Sequence, residues 1–427
     1  MTLSQPAPAA ENHGRSPHRA QTSPIQALDL WTIFLLATQV YGTFTPPETY
    51  FGTLGGIKNY PITPFMLVIT SLTVAMMYVR HAKQQAVLHC WPGYLYIVAA
   101  FVSALWSLDP QFSFQRVLRL LPAVALGVVY AQYYRIPHIL RLMVIAFLMS
   151  AIASILISVA VPSLGIGHIG NGYESAWRGG FVHKNAAGFL YAVGVFITAF
   201  AYFRRAVSFD LAAPTLGACL LMVVMSESAT PAVSMTLALG LAFGISSLRH
   251  VPAAARVMIG VLLLLVAALI AFILYFMPDI AASLIGRDLS LTGRTDIWAA
   301  AMLKIMEHPV RGMGYAYWNI ENPEHLPLWL MAGHHFAYAH NSWVDLWLQT
   351  GLAGLILVAG ITLSTFWRSF AMSLRQKHID ALMILALILF LMIRSVTESQ
   401  FTEPGPNGVF WLIWASVLIR KVKADHA

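Results

Sequence analysis

The run VMIGVLLLLVAALIAFILYFM, residues 257–277, carries no charge over a length sufficient to cross a bilayer. About 20 apolar residues in an α-helix cover a hydrocarbon core of about 30 Å. Strands of a membrane β-barrel are about 10 residues long and alternate in polarity, which this run does not. Similar runs recur along the chain, which is 58% hydrophobic and only 10% charged. Soluble domains carry about 25% charged residues, so the sequence reads as an integral membrane protein. Hydropathy predicts about twelve spans, at about 28–44, 64–79, 92–108, 113–132, 139–161, 186–203, 210–226, 230–248, 257–277, 343–366, 379–396 and 408–420. The expected architecture is an all-α polytopic membrane protein. It has a disordered tail at 1–27, helices one to nine within 28–277, a large polar loop at 278–342, helices ten to twelve within 343–420, and a short tail at 421–427.

The first tail has too little apolar bulk to offset the entropy of ordering. No apolar stretch precedes a small-residue cleavage site there, so the first span is expected to act as the insertion signal. Cys90 and Cys219 have no metal-ligand spacing and suggest no disulfide framework. The net charge of +8 is spread over short loops, which fits anchoring against anionic lipid and not nucleic-acid binding.

With both tails inside, sixteen of the 26 Lys and Arg residues fall in inner loops, and every inner loop holds at least two, which fixes the orientation. The other ten are Lys58, Arg116, Arg119, Arg178, Lys184, Arg287, Arg294, Lys304, Arg311 and Arg394, all at the outer face or the outer ends of spans. Cations kept against the positive-inside tendency need another reason, and an anionic ligand is the simplest. The sequence has no internal repeat and no paired broken-helix signals, so it does not support an inverted-repeat transporter.

The polar loop is expected to be partly helical. Thr295 can cap a helix whose stripe of Trp298, Ala301, Met302 and Ile305 lies on the outer leaflet and stops at His308-Pro309. Arg116 and Arg119 sit three apart on one helix face, either as interfacial anchors or as phosphate holders. Arg178 precedes His183, Lys184 and Asn185 at a helix start, where cations and free N–H groups suit an anion, and Asn185 can also be a plain cap. Ser226, Glu227, Ser228 and Thr230 form a tight outer turn. Arg294 offers a fork suited to diphosphate. His340 stands at the mouth of a span, placed to take a proton from a hydroxyl, with Asn341 and Asp345 beside it. His334, His335 and His340 lack a nearby carboxylate pair, which makes them a weak metal set. Arg394 and Glu398 are spaced as an i, i+4 salt bridge.

Four of these segments, in order and on one face, resemble the O-antigen ligase / O-antigen polymerase family of bacterial inner-membrane proteins. The nearest likeness is to its exopolysaccharide-production polymerase branch. They are G-x-x-H-K-N-x-x-G from Gly180 to Gly188, G-R-x-x-x-W from Gly293 to Trp298, H-P-x-x-G-x-G from His308 to Gly314, and H-N-x-x-x-D-x5-G from His340 to Gly351. The resemblance implies a metal-independent, cofactor-free glycosyltransferase of the helical, lipid-carrier-dependent class, with its large loop and active site on the periplasmic side. Its donor would be an undecaprenyl-diphosphate-linked oligosaccharide and its acceptor a growing glycan, with chain-length or export proteins as partners. The family's diphosphate-binding arginine carries over to Arg294 and its proposed base to His340. Ala229 stands where ligase-type members have arginine, which leaves Arg116, Arg178 or Lys184 to supply a second cation. Ligation onto lipid A-core is the alternative activity, and polysaccharide transport a more distant one.

Overall fold

The computed structural model describes residues 26–41, 91–118, 120–167, 175–181, 183–252, 255, 258, 294–320, 322–333, 336, 338–375, 378–402 and 408–424. The expected spans at 64–79 and 257–277, both tails beyond these bounds and the first part of the polar loop lie outside them. The described residues are mostly helical and include no strand; a single antiparallel bridge joins Ile166 to Trp177.

The helices are α1 (Ala27–Tyr41), α2 (Trp91–Ala104), α3 (Pro110–Leu118), α4 (Leu120–Tyr133), α5 (Ile136–Ala160), α6 (Lys184–Phe203), α7 (Phe209–Met225), α8 (Ala229–Ser247), α9 (Arg294–Glu307), α10 (Leu326–Ala332), α11 (Ser342–Arg375), α12 (Ile379–Ser395) and α13 (Gly408–Ala424). Five segments are long and apolar enough to cross a membrane: Pro110–Tyr133, Ile136–Ala160, Lys184–Phe203, Ala229–Ser247 and Ser342–Leu374. The chain is an integral membrane protein.

In lipid, helices gain little from apolar burial against one another, so close packing and buried polar contacts decide which of them associate. Helices α6 and α12 show this most clearly. Both are buried along nearly their whole length, and Phe390 of α12 stacks on Phe189 of α6 with ring centroids 5.6 Å apart. A Cβ on Gly194 would stand 2.8 Å from both Cys219 of α7 and Phe147 of α5, so glycine there lets two neighbours approach α6. The antiparallel pair is tied at both ends. Arg204 donates to Asp380 at 3.0 Å at one end, and Asn185 donates to Glu398 at 3.0 Å at the other.

The loop segment from α9 to α10 forms a second, smaller core. Ile297, Ala300, Ala301 and Ile305 of α9 pack with Tyr317, Trp318, Leu328 and Leu348. Arg294 and the expected cap Thr295 both lie within helix α9, and its buried face is turned slightly from the predicted stripe, so that Ile297 and Ala300 are buried while Trp298 and Met302 are half-buried.

This small core is locked to α11 by a break in that helix. At Gly351 the backbone leaves helical geometry, with φ 66° and ψ −168°. The helical bond from the Leu352 N–H to the Leu348 carbonyl opens, and each freed group must find a partner in this buried place. The Leu352 N–H donates to the Val310 carbonyl at 3.0 Å, and the Leu348 carbonyl accepts from the Met313 N–H at 2.6 Å. The approach is so close that a Cβ on Gly312 would stand 2.6 Å from the Gly351 nitrogen, and one on Gly351 would strike the Val310 carbonyl oxygen. The first glycine of H-P-x-x-G-x-G and the last glycine of the H-N motif are therefore two halves of one joint, while Gly314 lies against Ser107.

Substituting Gly351→Ala forces both a left-handed alanine and a backbone collision, a combination expected to cost about 2 kcal/mol or more. Thermal unfolding in detergent should show a clear loss of stability. Gly240→Ala on α8, with nothing within 4 Å of the new methyl group, should unfold like the wild type.

Candidate active site

Residues from four separate segments meet where α6 begins and α12 ends, around the carboxylate of Glu398. This residue lies three positions beyond the end of α12 and is 5% exposed. Its Oε1 accepts from Asn185 Nδ2 at 3.0 Å and from Arg294 Nη2 at 3.2 Å, while Oε2 lies 3.5 Å from His340 Nδ1. The segment carrying it is held by Ser342, whose hydroxyl donates to the Glu398 carbonyl at 2.7 Å and accepts from the Gln400 N–H at 2.9 Å. Burial alone would raise the Glu398 pKa. The imidazole of His340 and the charges of Arg394 and Arg294 outweigh it and bring the carboxyl down to about 2.

The sequence motifs converge here unequally. Arg294, the first residue of α9, spends Nη1 on the Thr397 carbonyl at 2.6 Å and Nη2 on Glu398. His340 takes a left-handed backbone, φ 49°, which a non-glycine residue keeps only when its surroundings enforce it. The enforcing contacts lie on both sides of it: Trp298 Nε1 donates to the Ala339 carbonyl at 2.8 Å, and the Ala339 N–H donates to the Asp345 carboxylate. The ring lies against Tyr338, with centroids 4.4 Å apart. Its Nδ1 is buried against Glu398, so the 26% of the side chain that stays exposed belongs to its other atoms.

In the H-K-N segment, His183 and not Asn185 is the cap: its Nδ1 accepts from the Asn185 N–H at 3.1 Å. That leaves the Asn185 carboxamide to bridge Glu398 and Ser228, whose hydroxyl donates to Asn185 Oδ1 at 2.8 Å. Gly188, one turn on, allows this approach, since a Cβ there would meet Ser226 Oγ at 2.9 Å. Lys184 Nζ reaches the Glu227 carbonyl at 3.2 Å. The polar turn at 226–231 thus joins the site through Ser228. Although His183 is exposed to solvent, the protein packed around it lowers its pKa, with Glu398 opposing the shift and His340, Lys184 and Arg178 adding to it.

Other expected ligand residues do structural work. Asp345 is fully buried, and its oxygens accept from Trp318 Nε1, the Ala339 N–H and the Ser399 hydroxyl, so it braces the turn that carries His340. Asn341 caps α11, accepting from the Trp343 N–H at 3.0 Å. Arg178 is 4% exposed, and its guanidinium donates to the carbonyls of Ile166 at 3.0 Å and Ser163 at 3.2 Å, pinning the loop before α6. Arg116 lies half-buried on α3 with its guanidinium 5.8 Å above the Phe112 ring. Arg119, Gly293, His334 and His335 lie outside the described residues.

Glu398 is the residue that the sequence spacing misassigns. The i, i+4 spacing suggests a side-chain pair with Arg394, whereas α12 ends at Ser395 and the two residues meet through the backbone, the Glu398 N–H donating to the Arg394 carbonyl at 2.9 Å. Arg394 instead donates to Gln400 Oε1 at 2.8 Å and lies 4.3 Å over the Phe189 ring.

Residues 214–359 match the family model described as O-Antigen ligase. The chain is also 24% identical over 403 residues to the "Exopolysaccharide production protein ExoQ" of Rhizobium meliloti (strain 1021), covering 89% of this chain and 88% of that one. Both likenesses point to the family that the sequence motifs resemble. The match to the family model contains Arg294 and His340 but begins after Asn185 and stops before Glu398.

Because the folded-state pKa of Glu398 is depressed, its stabilising contribution is present above about pH 4.5 and fades as the pH falls toward about 2. Glu398→Gln should therefore unfold well below the wild type at pH 7. The gap should narrow in melts taken at pH 4 and pH 3.

Proposed function

We propose that this protein is a polysaccharide polymerase. It would transfer undecaprenyl-diphosphate-linked oligosaccharide units onto a growing glycan at the periplasmic face of a bacterial inner membrane. In this reading residues 278–342 form the periplasmic loop, the spans at 28–277 and 343–420 surround the site, and the tails at 1–27 and 421–427 are cytoplasmic. The observation that carries it is the charge balance around Glu398. Arg294 and Arg394 are both within electrostatic reach of that one carboxylate, so an arriving anion meets net positive charge in a poorly hydrated place.

A polyprenyl-diphosphate sugar already carries a good leaving group and needs charge stabilisation more than protonation. Arg294, with Lys184 and Arg116 as further cations, would hold the departing diphosphate. Ionised Glu398 can only accept at His340 Nδ1, so the neutral imidazole carries its proton there and leaves Nε2 as the base. Nε2 would take the proton of the acceptor hydroxyl as its oxygen attacks the anomeric carbon. The carbon–oxygen bond to diphosphate breaks with its electron pair going to the phosphate, and the configuration inverts. No metal is required in this scheme. The printed name of the Rhizobium relative supports an exopolysaccharide product, and alanine at position 229 favours polymerisation over ligation onto lipid A-core.

Arg294→Ala and His340→Ala should each lower polymer synthesis by about 10²-fold or more while the protein still reaches the membrane. Gel analysis of polysaccharide from a deletion strain carrying each variant reads this directly. Lipid-linked single units should accumulate, and normal polymer in both strains overturns the proposal. Full-length chains on the lipid carrier that fail to reach their acceptor would instead mark a ligase.

A further inference from the structure

Two imidazoles flank the Asn185–Glu398 pair, and a hydrogen bond at one and an ion-pair contact at the other set them in opposite tautomers. His183 Nδ1 accepts the Asn185 N–H at 3.1 Å, so that nitrogen holds a lone pair and the proton of the neutral ring sits on Nε2. His340 Nδ1 faces the ionised Glu398 carboxylate at 3.5 Å and carries the proton, which leaves its Nε2 bare. A protonated His183 would bring two N–H groups face to face at the cap, and the depression of its pKa acts in the same direction. The Asn185 side chain also reaches Glu398, so one short chain of contacts fixes both rings at once.

We propose that His183 is a neutral hydrogen-bond donor to the leaving group, its Nε2–H directed to an oxygen of the departing diphosphate while His340 Nε2 removes the acceptor proton. This rests on the polymerase reading and gives the H-K-N segment a specific role within it. The balance is simple. The acceptor proton ends on His340, the electron pair of the broken carbon–oxygen bond ends on diphosphate, and His183 keeps its own proton throughout. A neutral donor suits this position because Lys184 is the next residue and a further full charge would repel it. The bond strengthens as charge develops on the phosphate, so it acts on the rate more than on binding.

The test separates capping from donation. Asparagine is a good N-cap, so His183→Asn keeps an acceptor for the Asn185 N–H but cannot reach the position of Nε2, whereas His183→Ala loses both. The substrate is the polyprenyl-diphosphate oligosaccharide extracted from the deletion strain, and the full-length protein is assayed in proteoliposomes. His183→Asn is expected to melt like the wild type and to lose about 10²-fold in kcat with little change in KM, as loss of one such donor does. His183→Ala should lose the same activity and also some thermal stability. Wild-type kcat in His183→Asn would mean that His183 only caps α6, and overturns the proposal. If that result comes with an inactive His340→Ala, the polymerase reading stands and only the donor role falls. Wild-type activity in His340→Ala removes both.

Discussion

The site depends on keeping one carboxylate ionised where water is scarce. An isolated buried anion is costly, and removing one partner from a buried charge cluster is more destabilising than never having built it. Glu398 is tolerable because the amide of Asn185, the fork of Arg294 and the ring of His340 surround it, with Arg394 beneath. Each partner arrives from a different segment: the start of α6, the start of α9, the turn before α11 and the end of α12. The electrostatic requirement of one side chain thereby fixes the mutual position of four elements. The same arrangement sets two guanidinium groups, Arg294 and Arg394, beside one carboxylate.

Membrane-spanning helices announce themselves in sequence because the bilayer imposes length and apolarity on each one separately. The expected spans at 139–161, 186–203, 230–248 and 343–366 accordingly lie over α5, α6, α8 and α11 to within a few residues, apart from the longer inner end of α11. Arg294 and His340 stand out in the sequence for a related reason, as polar groups against an apolar background, and the structure brings both to Glu398. Glu398 was hidden by its own neighbourhood. Four residues after an arginine, it imitates a helical ion pair, and nothing local reveals that α12 has already ended. Asp345 and Arg178 mislead in the opposite sense: their spacing beside other polar groups suggests ligands, yet burial and backbone partners make them braces. Spacing along the chain reports which groups share a helix face, and it is silent about which groups point at one another from different elements.

The joint at Gly351 shows how an irregular backbone can persist inside such a bundle. A broken helix leaves a donor and an acceptor without partners, and lipid offers neither. Here the loop after α9 supplies both, through the Val310 carbonyl and the Met313 N–H. The polar segment is therefore fastened into α11 itself instead of resting on the bundle as a separate cover. It follows that Arg294 and His340, which both reach Glu398 from this small core, are held at a fixed separation by it.

The double tie between α6 and α12 has a mechanical consequence. With Arg204 on Asp380 at one end and Asn185 on Glu398 at the other, the pair behaves as a strut pinned at both ends. A rocking motion of one helix against the other, such as would expose the site alternately to the two sides of a membrane, must break both ties together. A strut of this kind suits a stationary centre more than an alternating one.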